Sequence, residues 1–173
     1  MSLHVAVAGW LLGPHSGANR RLLSLLREAS SWLEDGERIT VLHPRSFSPP
    51  RRADHLTWHP VDIPAGPTVR RAWAEQRTLR PLLRELGATI YDHGFLPPPR
   101  VGIPLCLTTH DVRDADGEGR WPRLLARSVL RKSLRRADGV VTVSEWTASR
   151  LRALVPGCEP IVVPNGVHER EPG

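Results

Sequence analysis

ADGVVTVSEWTASRLRALVPGCEPIVVPNGV, residues 137–167, decides how the whole chain is read. Residues 139–143 are a short apolar run rich in β-branched side chains, the composition of a buried strand. Ser144 follows as an N-cap for a helix that carries Leu151 and Leu154 on one face, and Pro156-Gly157 stops that helix. Residues 161–163 are a second apolar run, read as another buried strand. Two strands joined by a helix of about ten residues form a crossover unit, which requires a parallel pair and a right-handed connection. Pro164-Asn165-Gly166 then closes the unit with turn chemistry.

The same alternation extends toward the amino terminus. Residues 4–12 read as a first strand, apolar on both faces as a central parallel strand should be. The loop 13–19 contains Gly13 and Gly17 and leads into a helix over 20–33, with Leu22, Leu23, Leu26, Ala29 and Leu33 near helical spacing. Residues 38–42 form a second strand, and Leu56-Thr57-Trp58 a short third inside a proline- and arginine-rich stretch of loops. A helix is predicted over 68–86, with Val69, Ala72, Trp73, Leu79, Leu83 and Leu86 on its apolar side and Arg70, Arg77 and Arg84 opposite. Pro81 inside it predicts a kink or a restart. Residues 88–91 and 105–109 are the next two strands. A helix running to about residue 136 follows, packed through Leu124, Leu125, Val129, Leu130 and Leu134. Some seven short strands alternating with helices specify a doubly wound, mainly parallel α/β domain of Rossmann-like type, one domain over residues 1–173.

Composition narrows the function. In 173 residues, 40% are hydrophobic and 24% charged, an ordinary globular balance with enough chain for a substantial core. No apolar run reaches membrane-spanning length, and the run from Val5 to Leu12 has no basic leader before it. Cys106 and Cys158 stand in different elements without metal-ligand spacing, which points to a reduced, cytoplasmic protein. The net charge of +6 is nearly all arginine, because Lys132 is the only lysine. Aromatic residues are not interleaved with those arginines, which argues against nucleic acid and leaves an anionic membrane surface or a phosphorylated substrate as the acidic partner. Arg123, Arg127, Arg131 and Arg135, four apart on one helix, are read as mainly solvated surface, with contact to an anionic membrane or a partner as the alternative.

Candidate site residues sit where strands end. Residues at the carboxyl ends of parallel strands line the crevice in which open α/β sheets bind ligands. Asp92-His93 and His110-Asp111 end two successive strands, and a histidine there can bond a substrate or move a proton near neutral pH. Their spacing matches no zinc motif, so no metal is expected; capping of the next turn by His110 and Asp111 is the plainer alternative. Ser16-Gly17, between the first strand and its helix, offers backbone N–H groups at a helix N-terminus, a natural anion site, or only a tight turn. The chain contains no GxGxxG, and its second strand leads to His43-Pro44-Arg45 rather than to an acidic residue, which disfavours NAD. Residues 114–119 form an acidic, glycine-bearing loop.

ADGVVTVSEWTASRL, the following IVVPNGV, and Thr108-Thr109-His110-Asp111 together resemble the N-terminal domain of the retaining GT-B glycosyltransferases of family 4. The resemblance implies the acceptor-binding half of an enzyme that transfers a sugar from a nucleotide-sugar donor. A second, Rossmann-like C-terminal domain would hold the donor, and the half alone is not expected to turn over. It implies a catalytic-site role for His110, near the transferred sugar, and a substrate-lining role for Ser16, Gly17, His93 and Asp111. Ser16-Gly17 stands where the family often has Gly-Gly, and His168 where it usually has Asp. The acceptor implied is a sugar or a lipid-linked molecule, met at the inner face of a membrane in several members. No cofactor beyond the donor is implied. Two readings from other classes remain: a non-catalytic Rossmann-like binding module, and a basic domain for an anionic membrane or nucleic acid.

Overall fold

The computed structural model of the chain describes residues 2–10, 17–49, 55–64, 66, 68–112 and 120–165. Seven strands form one sheet: β1 (His4–Ala8), β2 (Arg38–Pro44), β3 (Leu56–Val61), β4 (Ile90–His93), β5 (Leu105–Thr109), β6 (Gly139–Thr142) and β7 (Ile161–Val162). Their order is β3-β2-β1-β4-β5-β6-β7, and every neighbouring pair is parallel. The α/β, doubly wound reading is therefore the observed fold, with its reversal of strand order between β1 and β4. The described helices are α1 (Gly17–Glu28, continued by a 3₁₀ turn over Ala29–Ser31), α2 (Thr68–Leu86), α3 (Arg120–Leu134) and α4 (Glu145–Leu154).

Register and side-chain alternation assign the helices to layers. Ala6 pairs with Tyr91, Tyr91 with Leu105, and Leu107 with Val140, so these residues share one face of the sheet with Ala8 and His93. That face packs on Leu79 and Leu83 of α2, on Leu130 and Leu134 of α3, and on Leu151 of α4. Val7, Ile39 and Val41 point the other way and pack on Leu26 of α1 and on Ala29. Beyond α1 on this second face, Ile90, Asp92, Cys106 and Val141 are only half-buried among the described residues.

Several boundaries differ from those the sequence suggests. β1 ends at Ala8, not near residue 12: Gly9 N–H closes the ladder on Leu42 O at 2.8 Å, and Trp10 turns into the core at 1% exposure. α1 begins at Gly17 rather than at 20 and ends at Glu28. β2 and β3 run on as partners to Pro44 and Val61, longer than predicted. Pro60 is tolerated because β3 is an edge strand. β4 starts two residues late, at Ile90, because Ala88 is consumed by the end of α2. Its N–H bonds Leu83 O at 3.0 Å while Gly87, at φ 66°, turns the chain out of the helix. His4, buried at the opposite end of the sheet, pins that junction with Nδ1 3.1 Å from Gly87 O and Nε2 2.8 Å from Thr40 Oγ1.

Helix α2 is continuous through Pro81. Pro81 and Arg77 are both exposed, so the Arg77 carbonyl that loses its helical donor faces the solvent side. Its buried stripe is Arg71, Glu75, Leu79 and Leu83, whereas Val69 and Trp73 are 82% and 63% exposed. The expected apolar face was thus rotated in the first two turns. Helix α3 ends at Leu134, and it buries Leu130 and Leu134 but leaves Leu124 and Leu125 exposed.

Over the described residues 137–165 the unit folds as read, apart from its last strand. Ser144 caps α4 by accepting from Thr147 N–H at 3.2 Å. Arg131 Nε donates to Leu154 O at 3.0 Å, so one arginine of the α3 stripe closes the C-terminus of α4. β7 is the edge of the sheet, and Ile161 is 64% exposed rather than buried. Cys106 and Cys158 are free thiols. The 114–119 loop and Gly166 of the closing turn lie outside the described residues.

Candidate functional site

In open α/β sheets the ligand crevice lies outside the carboxyl ends of the strands where their order reverses, here between β1 and β4. β5 and β6 bring Thr108, Thr109, His110 and Asp111, and Thr142, Val143 and Ser144, to the same carboxyl edge of the sheet. His110 directly follows β5 and is half-buried; Asp111 is exposed, and both have interaction partners. Below them Thr109 and Thr142 sit opposite each other in register, both buried, and neither hydroxyl finds a partner among the described residues. Thr108 Oγ1 donates to Asp92 Oδ1 at 2.9 Å and ties β5 to β4 on the sheet's α1 face. Gly17 is the first residue of α1; Ser16 lies outside the described residues.

His93 has a different position from His110. It pairs with Leu107, three residues before His110, so the two histidines stand about 10 Å apart along the strand direction at roughly 3.3 Å per residue. His93 is fully buried and points to α2, not into the crevice. Its ring packs on Trp10, Tyr91 and Phe95 with centroid separations of 5.5 to 5.7 Å.

Around it lies a polar cluster that the sequence reading did not identify. Glu75, at 0% exposure, has Oε1 3.1 Å from Arg71 Nε and Oε2 3.9 Å from His93 Nε2. The Trp10 indole N–H also favours the ionised form of Glu75. None of these contacts has the geometry of an aligned hydrogen bond, so Arg71 and Glu75 meet as an ion pair. Arg71 sends a second donor to Leu96 O at 2.6 Å, and its guanidinium lies 5.1 Å from the Phe95 ring centroid. Tyr91 Oη is 3.0 Å from His93 Nδ1. The two share one hydrogen bond, whose direction follows the imidazole tautomer, and burial keeps the phenol protonated.

Burial sets the charge states. It pushes the Glu75 carboxyl from 4.5 up to about 7, against the opposing pull of the Arg71 charge. It lowers His93 from 6.5 to about 3, and Arg71 reinforces that shift. His93 is therefore neutral at physiological pH, and its approach to Glu75 is not an ion pair. Glu75 is the member of the cluster that can exchange a proton near neutrality. No group of three or more His, Cys, Asp or Glu among the described residues is placed to hold a metal ion. The signal for the cluster was present: Arg71 and Glu75 fall four apart, in phase with Leu79 and Leu83.

No curated protein matches the chain. The model of Glycosyltransferase Family 4 matches residues 15–171. That span runs from the start of α1 past β7 and takes in His93, His110 and the crevice wall, and on this match the chain belongs to glycosyltransferase family 4.

Proposed function

We propose that these 173 residues are the N-terminal, acceptor-side domain of a retaining glycosyltransferase of the GT-B type, working with a C-terminal domain that binds a nucleotide-sugar donor. The observation that carries this reading is the family match together with His110 at the carboxyl end of β5, beside the reversal point of the sheet. His110 faces the transferred sugar and the acceptor. Asp111, next to it, binds substrate. The backbone at Ser16-Gly17, leading into α1, meets the charge that develops on the departing nucleoside diphosphate. His93 serves the substrate site from beneath, through the ring packing that holds Trp10 at the end of β1. The nucleotide sugar is a co-substrate, and no metal takes part.

The acceptor side works at the cytoplasmic face of an anionic membrane. Support comes from α2, which exposes Val69 and Trp73 beside the exposed Arg70 and Arg77; the Arg77 guanidinium lies 4.8 Å from the Trp73 ring centroid. An apolar pair ringed by arginine is suited to the boundary between headgroup and acyl chain. No helix among the described residues is long and apolar enough to cross a membrane.

The test begins by reading the gene past the codon for Gly173 and expressing the protein it encodes. Sugar transfer is then measured from a panel of UDP-, GDP- and ADP-sugars. His110→Ala is expected to lower kcat with an unchanged circular dichroism spectrum, and the 173-residue chain alone is expected to be inactive. An unchanged rate in His110→Ala removes that residue from the site, and robust transfer by the isolated chain refutes the division of labour.

A further inference from the structure

Helices α2, α3 and α4 each return the chain from one parallel strand to the next, so all three run antiparallel to the strands and begin at the carboxyl edge of the sheet. They lie on one face of it, anchored there by Leu79, Leu130 and Leu151 respectively. Near its start each helix also exposes a large apolar side chain: Trp73 on α2, Leu125 on α3 at 68% and Trp146 on α4 at 58%. Trp73 precedes Leu79 by six residues, and Leu125 and Trp146 precede Leu130 and Leu151 by five. Five or six residues of helix are about 8 Å of rise and leave a rotation of about 120 to 140°. The three side chains therefore stand at one level, turned away from the sheet. Val69 on α2 and Leu124 on α3 are exposed beside them, and no described side chain of α3 before Leu130 is buried.

We propose that the starts of these three helices form one docking plane, and that its partner is the surface of an anionic phospholipid bilayer. The inference rests on the reading of α2 as a membrane contact and extends it to Leu124, Leu125 and Trp146. Charge selects the partner. Arg70 and Arg77 flank Trp73, Arg123 adjoins Leu124, and all three arginines are exposed. The first turns of α2 and α3 contain no acidic residue, and Glu145, in the first turn of α4, is paired with Arg152 at 3.5 Å. A second copy of the chain would set these arginines against one another. A peptide helix bound in a groove needs apolar side chains that face each other across it, whereas these face outward. A lipid surface is flat and reaches three helices at once. It takes leucine into the acyl boundary and tryptophan at headgroup level, and it supplies the phosphates that guanidinium groups pair with. Bound in this way, the domain holds the carboxyl edge of its sheet, and with it His110, beside the bilayer.

The test is flotation of the 173-residue chain with vesicles of mixed phosphatidylglycerol and phosphatidylcholine, and with vesicles of phosphatidylcholine alone. The wild type is expected to float with the first and not with the second. Leu124→Ser combined with Leu125→Ser, and Trp146→Ser alone, should each weaken partitioning by about tenfold, with an unchanged urea midpoint because these side chains are exposed. If these variants bind as the wild type does while Trp73→Ala with Arg77→Ser does not bind, the plane is refuted and the α2 contact stands alone. A wild-type chain that floats with neither vesicle refutes both, and sugar transfer, assayed separately, is judged on its own result. Equal flotation with the two kinds of vesicle refutes the anionic surface as the partner. Should a variant fail to fold, hydrogen exchange in the wild-type chain decides. The mixed vesicles must then slow exchange over residues 120–129 and 145–149 as well as 68–77, and unchanged exchange in the α3 and α4 segments overturns the proposal.

Discussion

Replacing Glu75 with Gln gives the sharpest test of the buried cluster's energetics, because the amide keeps the shape and abolishes the charge. Moving a carboxyl from 4.5 to about 7 corresponds, at about 1.4 kcal/mol per pH unit, to about 3.5 kcal/mol. The sign follows from proton counting. The folded protein holds the Glu75 proton up to about 7, whereas the unfolded chain gives it up near 4.5. Between those values the folded state binds more protons, so this group lowers stability as pH rises. The amide has no such slope, and the His93 contribution is common to both proteins. Urea unfolding followed by tryptophan fluorescence at pH 5, 6, 7 and 8 should therefore show Glu75→Gln gaining on the wild type. About 2.5 kcal/mol of the relative change is expected between pH 5 and 8, and most of it below pH 7. A stability difference that stays constant across that range would refute the burial argument for Glu75. A change of opposite sign would mean that the Arg71 pairing outweighs desolvation.

Three further predictions follow from single contacts. His93→Gln removes a ring that the fold keeps neutral down to about pH 3, while the unfolded chain protonates near 6.5. Wild-type stability should therefore fall relative to the variant by about 2 kcal/mol on going from neutral pH to pH 5, measured by the same unfolding assay; parallel pH profiles would show that His93 is not held neutral. Ser144→Ala deletes the acceptor for Thr147 N–H at the start of α4 and should cost about 1 kcal/mol, read as a lowered urea midpoint with an unchanged m-value. Trp73→Ala combined with Arg77→Ser should abolish co-sedimentation with vesicles rich in phosphatidylglycerol, without changing the urea midpoint, since both side chains are exposed. Wild-type chain that stays in the supernatant at low salt rules out α2 as a membrane contact.

The alternation of strand and helix was legible because each β-strand here carries a short apolar run and each connection is punctuated by Gly, Pro or a capping residue. Ser144 is the clearest case: its role depends on three residues of backbone, and local sequence carries that information. His110 was legible in the same way, as the residue after a strand that ends in two threonines. The limits appear where one element's end depends on another. Ile90 opens β4 only because Gly87 and Ala88 close α2, and Ile161 is exposed because, among the described residues, β7 pairs with β6 alone.

Helix α2 separates the two kinds of information. Its existence and length were written in residues 68–86, down to the glycine that ends it, because helix formation and termination are short-range. Which side would be buried was not. By hydrophobicity Trp73 belongs inside and Arg71 and Glu75 outside, and in the folded protein the order is reversed. The deciding partners are Trp10, His93 and Leu96 O, on segments distant in the sequence, which together accommodate an ion pair that no apolar count anticipates. The sequence by itself determined the α/β alternation, the parallel sheet and the position of His110. Only tertiary structure decided that His93 faces a buried carboxylate rather than the crevice, because the charge state and environment of a side chain depend on groups brought together by folding.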